Sequence, residues 1–296
     1  MRTKSESGYS LTELLIAVVI LVPIMGAAVG LFSVGAHEQA SEQSSVDSNL
    51  EARSALEIMS TEISQAGSHG DRITTTTAAI GASSNPQSVT LGSAEGMMVG
   101  DWLDVDTGAN WESVEITAVS GNSVSGVFRT SHVTGTPVRF FALPFIGGMV
   151  TASAVAPNST ATVAKLGFFG DINGDSTLQY VEYAYDSANN QITRSITPLT
   201  QNSKNAAVPL VRNVKANSVQ FRLTSDSQGV VTSANIAMTV QNTVSTASRY
   251  QETALSTKVA IPSTMAASEL LYELRRYGGI DKLPSTPSLV TTWINQ

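Results

Sequence analysis

Six oxygen-bearing residues in the second half of the chain have the spacing of a calcium-binding loop. They occupy loop places 1, 3, 5, 7, 9 and 12, in the order Asp171, Asn173, Asp175, Thr177, Gln179 and Glu182. Oxygen ligands at these places can surround a calcium ion. Against this, place 6 is Ser176 rather than glycine, and the flanking residues have the pattern of strands. The alternative is a plain turn between two strands, with Glu182 pointing outward. Calcium is thus the one cofactor that the sequence suggests.

Another acidic residue, Glu13, borders a long apolar segment near the N-terminus. Residues 14–36 contain no charged side chain, and at a rise of 1.5 Å per residue they extend roughly 34 Å, enough to cross a hydrocarbon core. A carboxylate at this depth costs about 2.5–3.5 kcal/mol or more without a partner. Glu13 therefore either reaches the lipid headgroups or pairs with a cation from elsewhere. Arg2 and Lys4 precede the span, so the N-terminus is expected in the cytoplasm and the rest outside.

Catalytic chemistry has no visible basis in this sequence. The 296 residues include no cysteine, which excludes disulfides and thiolate nucleophiles. Phosphate-binding, dinucleotide-binding, zinc-protease and nucleophile-elbow motifs are absent, and the three histidines, His37, His69 and His132, are scattered. The net charge of −7 and the lack of a basic run indicate no strong nucleic-acid binding. We therefore predict that the protein is not an enzyme.

The element that must position Glu13 is a long helix. Beyond the apolar segment, a stripe of small and apolar residues recurs at offsets of 0, 3, 4, 7, 11 and 14, and comprises Ala52, Ala55, Leu56, Met59, Ile63 and Ala66. We expect this stripe to pack on the protein's own sheet, and Gly67 and Gly70 to end the helix. Inside the apolar segment, Gly26 and Gly30 form either a helix-packing face or a chance match. Pro23 removes one helical hydrogen bond there.

The residues around Glu13 resemble the processing site of type IV prepilins. A short basic leader ends at Gly8, and Tyr9, Ser10, Leu11, Thr12 and Glu13 then lead into the span. The resemblance implies that a prepilin peptidase cleaves between Gly8 and Tyr9 and methylates the new amine. It also implies that Glu13 pairs with the N-terminal amine of a neighbouring subunit. Two departures, Thr12 in place of an aliphatic residue and the early position of Pro23, oppose a major-subunit role.

The family resemblance also suggests a particular kind of subunit. Residues 55–67 resemble the helix end of PilW-like minor pilins, and the strands of residues 164–261 resemble their terminal sheet in outline. This implies a minor type IV pilin whose other partners are pilins, held in the membrane before assembly and on the pilus or cell surface afterwards. It would support pilus assembly, adhesion, motility or DNA uptake. The alternatives are a GspJ-like minor pseudopilin of type II secretion and, from another class, a membrane-tethered adhesin or ligand-binding protein.

The remaining sequence predicts an α+β fold, in which the long N-terminal helix packs on an antiparallel β-sheet that carries an inserted small β module. Short apolar runs between turn residues predict the strands, and Val114–Val119 is one of those expected in the module. Trp102 and Trp111 in the module are expected in its core, with exposed binding aromatics as the alternative.

An amphipathic helix near the C-terminus is predicted by the spacing of Ala267, Leu270, Leu271 and Leu274. The tail at Trp293 either returns to the sheet or docks on a partner. The predicted segments are a leader (1–8), a transmembrane helix (9–36), its amphipathic continuation (37–67), the β module (71–142), a pilin-like β domain (143–265) and a C-terminal helix and tail (266–296).

Overall fold

The computed structural model of the chain describes residues 10–70, 72–141, 148–150, 165–175, 177–227, 229–241, 252–277 and 286–296. The fold is α+β, as the sequence predicts: a long N-terminal helix packs on antiparallel sheets. Helix α1 runs from Leu11 to Ser64, so the apolar segment and its amphipathic continuation form one element of 54 residues. Gly67 follows with a φ of 75°, a left-handed conformation that glycine adopts without strain.

The β module follows α1, and its described residues, 72–141, form seven short strands. They are β1 (Arg72–Thr75), β2 (Gln87–Thr90), β3 (Trp102–Val105), β4 (Glu112–Glu115), β5 (Ala118–Ser120), β6 (Ser123–Gly126) and β7 (Pro137–Phe141). They form two antiparallel sheets, in the orders β1-β7-β3-β4 and β2-β6-β5. A separate cluster of buried side chains, including Leu103, Val124 and Phe140, fills the space between them. The module thus has a core of its own.

Two sequence expectations for the module are wrong. The run Val114–Val119, expected as one strand, is divided between β4 and β5, because its first half pairs with β3 in one sheet and its second half pairs with β6 in the other. Trp111 is 54% exposed rather than buried, since it follows a short turn at the end of the sheet instead of lying within a strand. Trp102, which starts β3, is half-buried.

The described residues of the main domain form two further antiparallel sheets. The five-stranded sheet has the order β12-β11-β10-β9-β8 and is built from β8 (Met149–Val150), β9 (Lys165–Gly170), β10 (Gln179–Asp186), β11 (Gln191–Pro198) and β12 (Val208–Val211). The three-stranded sheet has the order β13-β14-β15, with β13 (Gln220–Ser225), β14 (Val231–Gln241) and β15 (Glu252–Ala260). The buried stripe of α1 packs against both sheets. All six predicted stripe residues, Ala52, Ala55, Leu56, Met59, Ile63 and Ala66, are buried, which confirms that prediction.

The C-terminal helices contact both sheets of the main domain. Helix α2 (Pro262–Tyr277) begins before the predicted boundary at residue 266 and contacts β14 of the three-stranded sheet. A short helix α3 (Ser288–Ile294), which the sequence did not predict, places Trp293 against Tyr180 with 5.6 Å between the ring centroids. Trp293 is 2% exposed, so the tail returns to the sheet, the first of the two expected outcomes.

Candidate assembly surface on the N-terminal helix

The first half of α1 stands away from the rest of the protein. Every residue from Leu11 to Ala40 is exposed, a rod of roughly 45 Å. Its large apolar side chains reach exposures of 76% at Leu31 and 82% at Phe32. The helix is long and apolar enough to cross a membrane. An apolar surface of this size is not stable in water, so lipid or other helices must cover it.

Glu13 lies in the first turn of this rod. Its Oε2 accepts a hydrogen bond from the backbone N–H of Ser10 at 3.1 Å, so the carboxylate caps the start of the helix. The hydroxyl of Thr12, at the position where prepilins usually have an aliphatic residue, is 2.7 Å from that of Ser10. Within the described part of the chain no ion pair involves Glu13. Gly8 and Tyr9 lie outside the described residues, so cleavage between them stays a prediction.

Two of the three glycines of the rod, Gly26 and Gly30, leave an open strip on its surface. A Cβ atom added at Gly26 or Gly30 would have no other atom within 4 Å, and the two positions are one turn apart on the same face. A second helix could therefore approach the backbone closely there. Pro23 lies inside the continuous helix, where it leaves the carbonyl of Val19 without its helical N–H donor. Helix packing at this strip stays a prediction.

The second half of α1 is fixed to the main domain by a buried polar cluster. Glu62 accepts hydrogen bonds from the hydroxyl of Tyr183 on β10 and from the guanidinium of Arg194 on β11, whose Nε is 3.1 Å away. Burial, and then the charge of Glu62, raise the pKa of Tyr183 above its ordinary value. Burial by itself would lower the pKa of Arg194, but the hydrogen bond and charge of Glu62 outweigh it and raise the pKa. An acidic residue within the apolar stripe was the sequence signal for this cluster.

The main domain also approaches the end of α1 through backbone contacts. The N–H of Gly67 donates to the carbonyl of Phe169 at 2.8 Å, and the N–H of Asp171 donates to the carbonyl of Ser68 at 2.9 Å. A Cβ atom at Gly170 would lie 2.5 Å from the carbonyl oxygen of Gln65, so only glycine allows this close approach. The helix and the five-stranded sheet therefore hold a defined relative position.

The predicted calcium loop is the connection between β9 and β10. Asp175 accepts hydrogen bonds from the side chain of Asn173 and from the backbone N–H of Thr177, both at 2.8 Å. The backbone N–H of Thr177 is the main cause of a lowered pKa for Asp175. These contacts are those of a polar turn. Gln179 lies in β10, paired with β9 and β11.

Glu182, the last predicted calcium ligand, has other partners. It is buried on β10, so the alternative expectation that it points outward is wrong. Its carboxylate accepts hydrogen bonds from the hydroxyl of Tyr180 at 2.7 Å and from Nζ of Lys204 at 3.0 Å. Lys204 also donates to the carbonyl of Trp293 at 3.4 Å, which links the tail to the sheet. In the described ranges, no three His, Asp or Glu side chains are grouped as metal ligands. Calcium binding by the rest of the loop stays a prediction.

Comparisons with protein-family models, curated proteins and solved structures find no match to this chain. The class of protein is therefore defined by the geometry alone: a chain with one N-terminal helix able to cross a membrane, continuous with a helix that packs on an α+β domain.

Proposed function

We propose that this chain is the precursor of a type IV pilin-like subunit of the minor, PilW-like kind. In this proposal a prepilin peptidase cleaves between Gly8 and Tyr9 and methylates the amine of Tyr9. The helix then passes from the membrane into a filament, where Glu13 pairs with the N-terminal amine of a neighbouring subunit. One observation carries the proposal: from Leu11 to Ala40 nothing in the described chain covers an apolar rod whose first turn holds a carboxylate without a cation.

The energetics of the rod support a transfer from lipid to a helical bundle. The apolar side chains can be covered equally well by lipid or by other helices, so they do not favour one over the other. The carboxylate of Glu13 favours the bundle over lipid, because an unpaired carboxylate in lipid costs about 2.5–3.5 kcal/mol or more. A neighbouring amine in a low-dielectric bundle removes that cost and fixes the register of the helices. The open strip at Gly26 and Gly30 provides room for such neighbours.

The rest of the fold supports a display role for the filament subunit. Because Glu62 fixes the second half of α1 to the five-stranded sheet, incorporation of the rod would place the main domain and the β module outside the filament core. From there they would support pilus assembly, adhesion, motility or DNA uptake. A type II secretion pseudopilin would assemble through the same interactions of the N-terminal helix, but with different partner proteins. The separate core of the module is the feature that favours the adhesin alternative.

The proposal is tested by the mature N-terminus and by the effect of Glu13→Ala. We expect the protein from its native cell to begin at a methylated Tyr9. Glu13→Ala should be cleaved and reach normal amounts in the membrane, but should be depleted from sheared filaments. Glu38→Ala is the matched control, because Glu38 is an exposed acid beyond the apolar segment of the same helix. Normal amounts of the Glu13→Ala chain in filaments would refute the pairing, and a mature protein that begins at Met1 or well past Ala36 would refute the whole proposal.

Deletion of the gene separates the three functional classes. Loss of filaments supports a minor pilin, and loss of protein export with filaments intact supports a pseudopilin. Loss of surface attachment alone, with filaments and export both intact, supports a tethered adhesin.

A further inference from the structure

A histidine at one end of the β module lies between two carboxylates. His132, in the loop before β7, has a fully buried side chain. Its Nε2 is 2.6 Å from Oε1 of Glu112, and its Nδ1 is 3.1 Å from Oδ2 of Asp106. Both ring nitrogens therefore face an acidic oxygen.

The three residues come from separate segments of the module. Asp106 follows β3 with a φ of 69°, and Glu112 begins β4. The backbone of His132 exchanges hydrogen bonds with Ile80 in both directions, at 2.8 and 2.9 Å. The cluster thus joins the end of the β3–β4 sheet to the loop before β7 and to the segment around Ile80.

Backbone amides hold the two carboxylates in place. Glu112 also accepts the N–H groups of Arg129 at 2.7 Å and Thr130 at 3.1 Å. Asp106 accepts the N–H of Thr107 at 2.7 Å, which, followed by the hydrogen bond from His132, lowers the pKa of Asp106. Both acids therefore have fixed positions, and among the described residues the charged side chains that contact the ring are these two carboxylates. Arg129 contributes through its backbone, and its side chain is exposed.

The protonation state of the ring decides whether both of its nitrogens can form a hydrogen bond with the carboxylate that they face. A neutral imidazole donates from one nitrogen and presents a lone pair at the other, whereas an imidazolium donates from both. A carboxylate can only accept, so a neutral His132 would direct a buried lone pair at an acidic oxygen. The imidazolium forms two charge-assisted hydrogen bonds instead.

We propose that His132, Asp106 and Glu112 form a pH-sensitive clasp that closes this end of the module while His132 is protonated and loosens when it loses a proton. The clasp holds in mildly acidic surroundings and weakens as the pH rises. Its release changes the surface at the same end of the module, where Trp111 and Val133, next to Glu112 and His132 in the chain, are 54% and 73% exposed.

The clasp can be tested on the full chain in detergent micelles, because only three histidines contribute to a spectrum of ¹⁵N-histidine-labelled protein. The resonances are assigned from the variants His37→Gln and His69→Gln, and those of His132 are the remaining set. At pH 6 we expect both ring nitrogens of His132 to carry a proton, and at pH 9 only one. A ring with a single proton at pH 6, or with two protons throughout, would overturn the proposal.

Amide hydrogen exchange of the segment 106–136 measures the mechanical consequence. After correction for intrinsic exchange, we expect protection to fall about tenfold between pH 6 and pH 9, the effect of losing one hydrogen bond to a charged group. Glu112→Gln is the informative variant, because its amide can both accept from the backbone and donate to a neutral ring, so the pH dependence should disappear. His37→Gln, which alters an exposed histidine of α1, should leave it unchanged. Protection that does not vary with pH in the unsubstituted chain would overturn the proposal.

Discussion

The polar cluster at Glu62 gives a quantitative test of how α1 is held. In the variant Glu62→Ala, the guanidinium of Arg194 and the hydroxyl of Tyr183 both lose their acceptor. Removing one member of a fully buried ion pair typically costs 3–5 kcal/mol. The side chain of Arg194 is 27% exposed and can regain water, which reduces that cost. The hydroxyl of Tyr183 is buried and stays unsatisfied, at about 1–3 kcal/mol. We therefore expect a loss of about 3 kcal/mol in the free energy of unfolding.

The assay is urea unfolding of the full chain in detergent micelles, followed by near-ultraviolet circular dichroism. Glu57→Ala is the matched control, because Glu57 is an exposed acid in the same half of α1 as Glu62. Its loss should change the free energy of unfolding by less than about 0.5 kcal/mol. In a chain that carries Arg194→Met, the further change Glu62→Ala should cost clearly less than it does alone, because the guanidinium that pairs with Glu62 is already gone. The reasoning is refuted if Glu62→Ala is as mild as Glu57→Ala, or if the two substitutions are additive.

Three further predictions concern the tail, acid stability and calcium. Trp293→Ala should destabilise the main domain by about 3–5 kcal/mol, measured by urea unfolding, because a buried indole that packs on Tyr180 is lost. Asp106 and Asp175 have lowered pKa values, so their stabilising contribution is present at neutral pH and is lost as the pH falls through those values. The melting temperature should therefore decrease at pH values below 4, and the decrease should be smaller in the variant Asp175→Asn. If the β9–β10 loop holds calcium, excess calcium should raise the melting temperature and Asp175→Asn should abolish the rise, whereas equal melting temperatures with calcium and with a chelator would exclude binding.

Local patterns in the sequence were sufficient to predict the long helix. Both the uncharged run and the recurrence of apolar residues about every 3.6 positions are patterns within one short stretch of sequence. The apolar segment and the buried stripe at Ala52–Ala66 could therefore be recognised directly. The antiparallel strands were recognised in the same way from short apolar runs. Their grouping into sheets could not be, because the division of Val114–Val119 between two sheets depends on partners far along the chain.

The polar clusters were missed because their members come from distant segments. His132 is 20 residues from Glu112 and 26 from Asp106, and no periodic pattern connects a strand end with two loops. Glu182 fits the spacing of a metal ligand, but its contact with Lys204 across the sheet decides its role. For Glu62 the sequence did contain a signal, an acid among apolar stripe residues, although the partner Arg194 is 132 residues away. Spacing identifies candidate chemistry, and only the tertiary fold shows which charges meet.

Two of the acids of α1, Glu13 and Glu62, suggest how filament register could determine the position of the displayed domain. Glu62 is neutralised by its own chain, whereas Glu13 has no cation in the described residues. Both lie on one continuous helix of about 80 Å, and the Glu62 cluster prevents the domain from sliding along it. In the proposed filament, the pairing of Glu13 would therefore set the height of the main domain. A register shift of one residue would move the domain by about 1.5 Å along the helix axis and turn it by about 100° around that axis. A single pair at the start of the helix would thus control which face of the β module points outward.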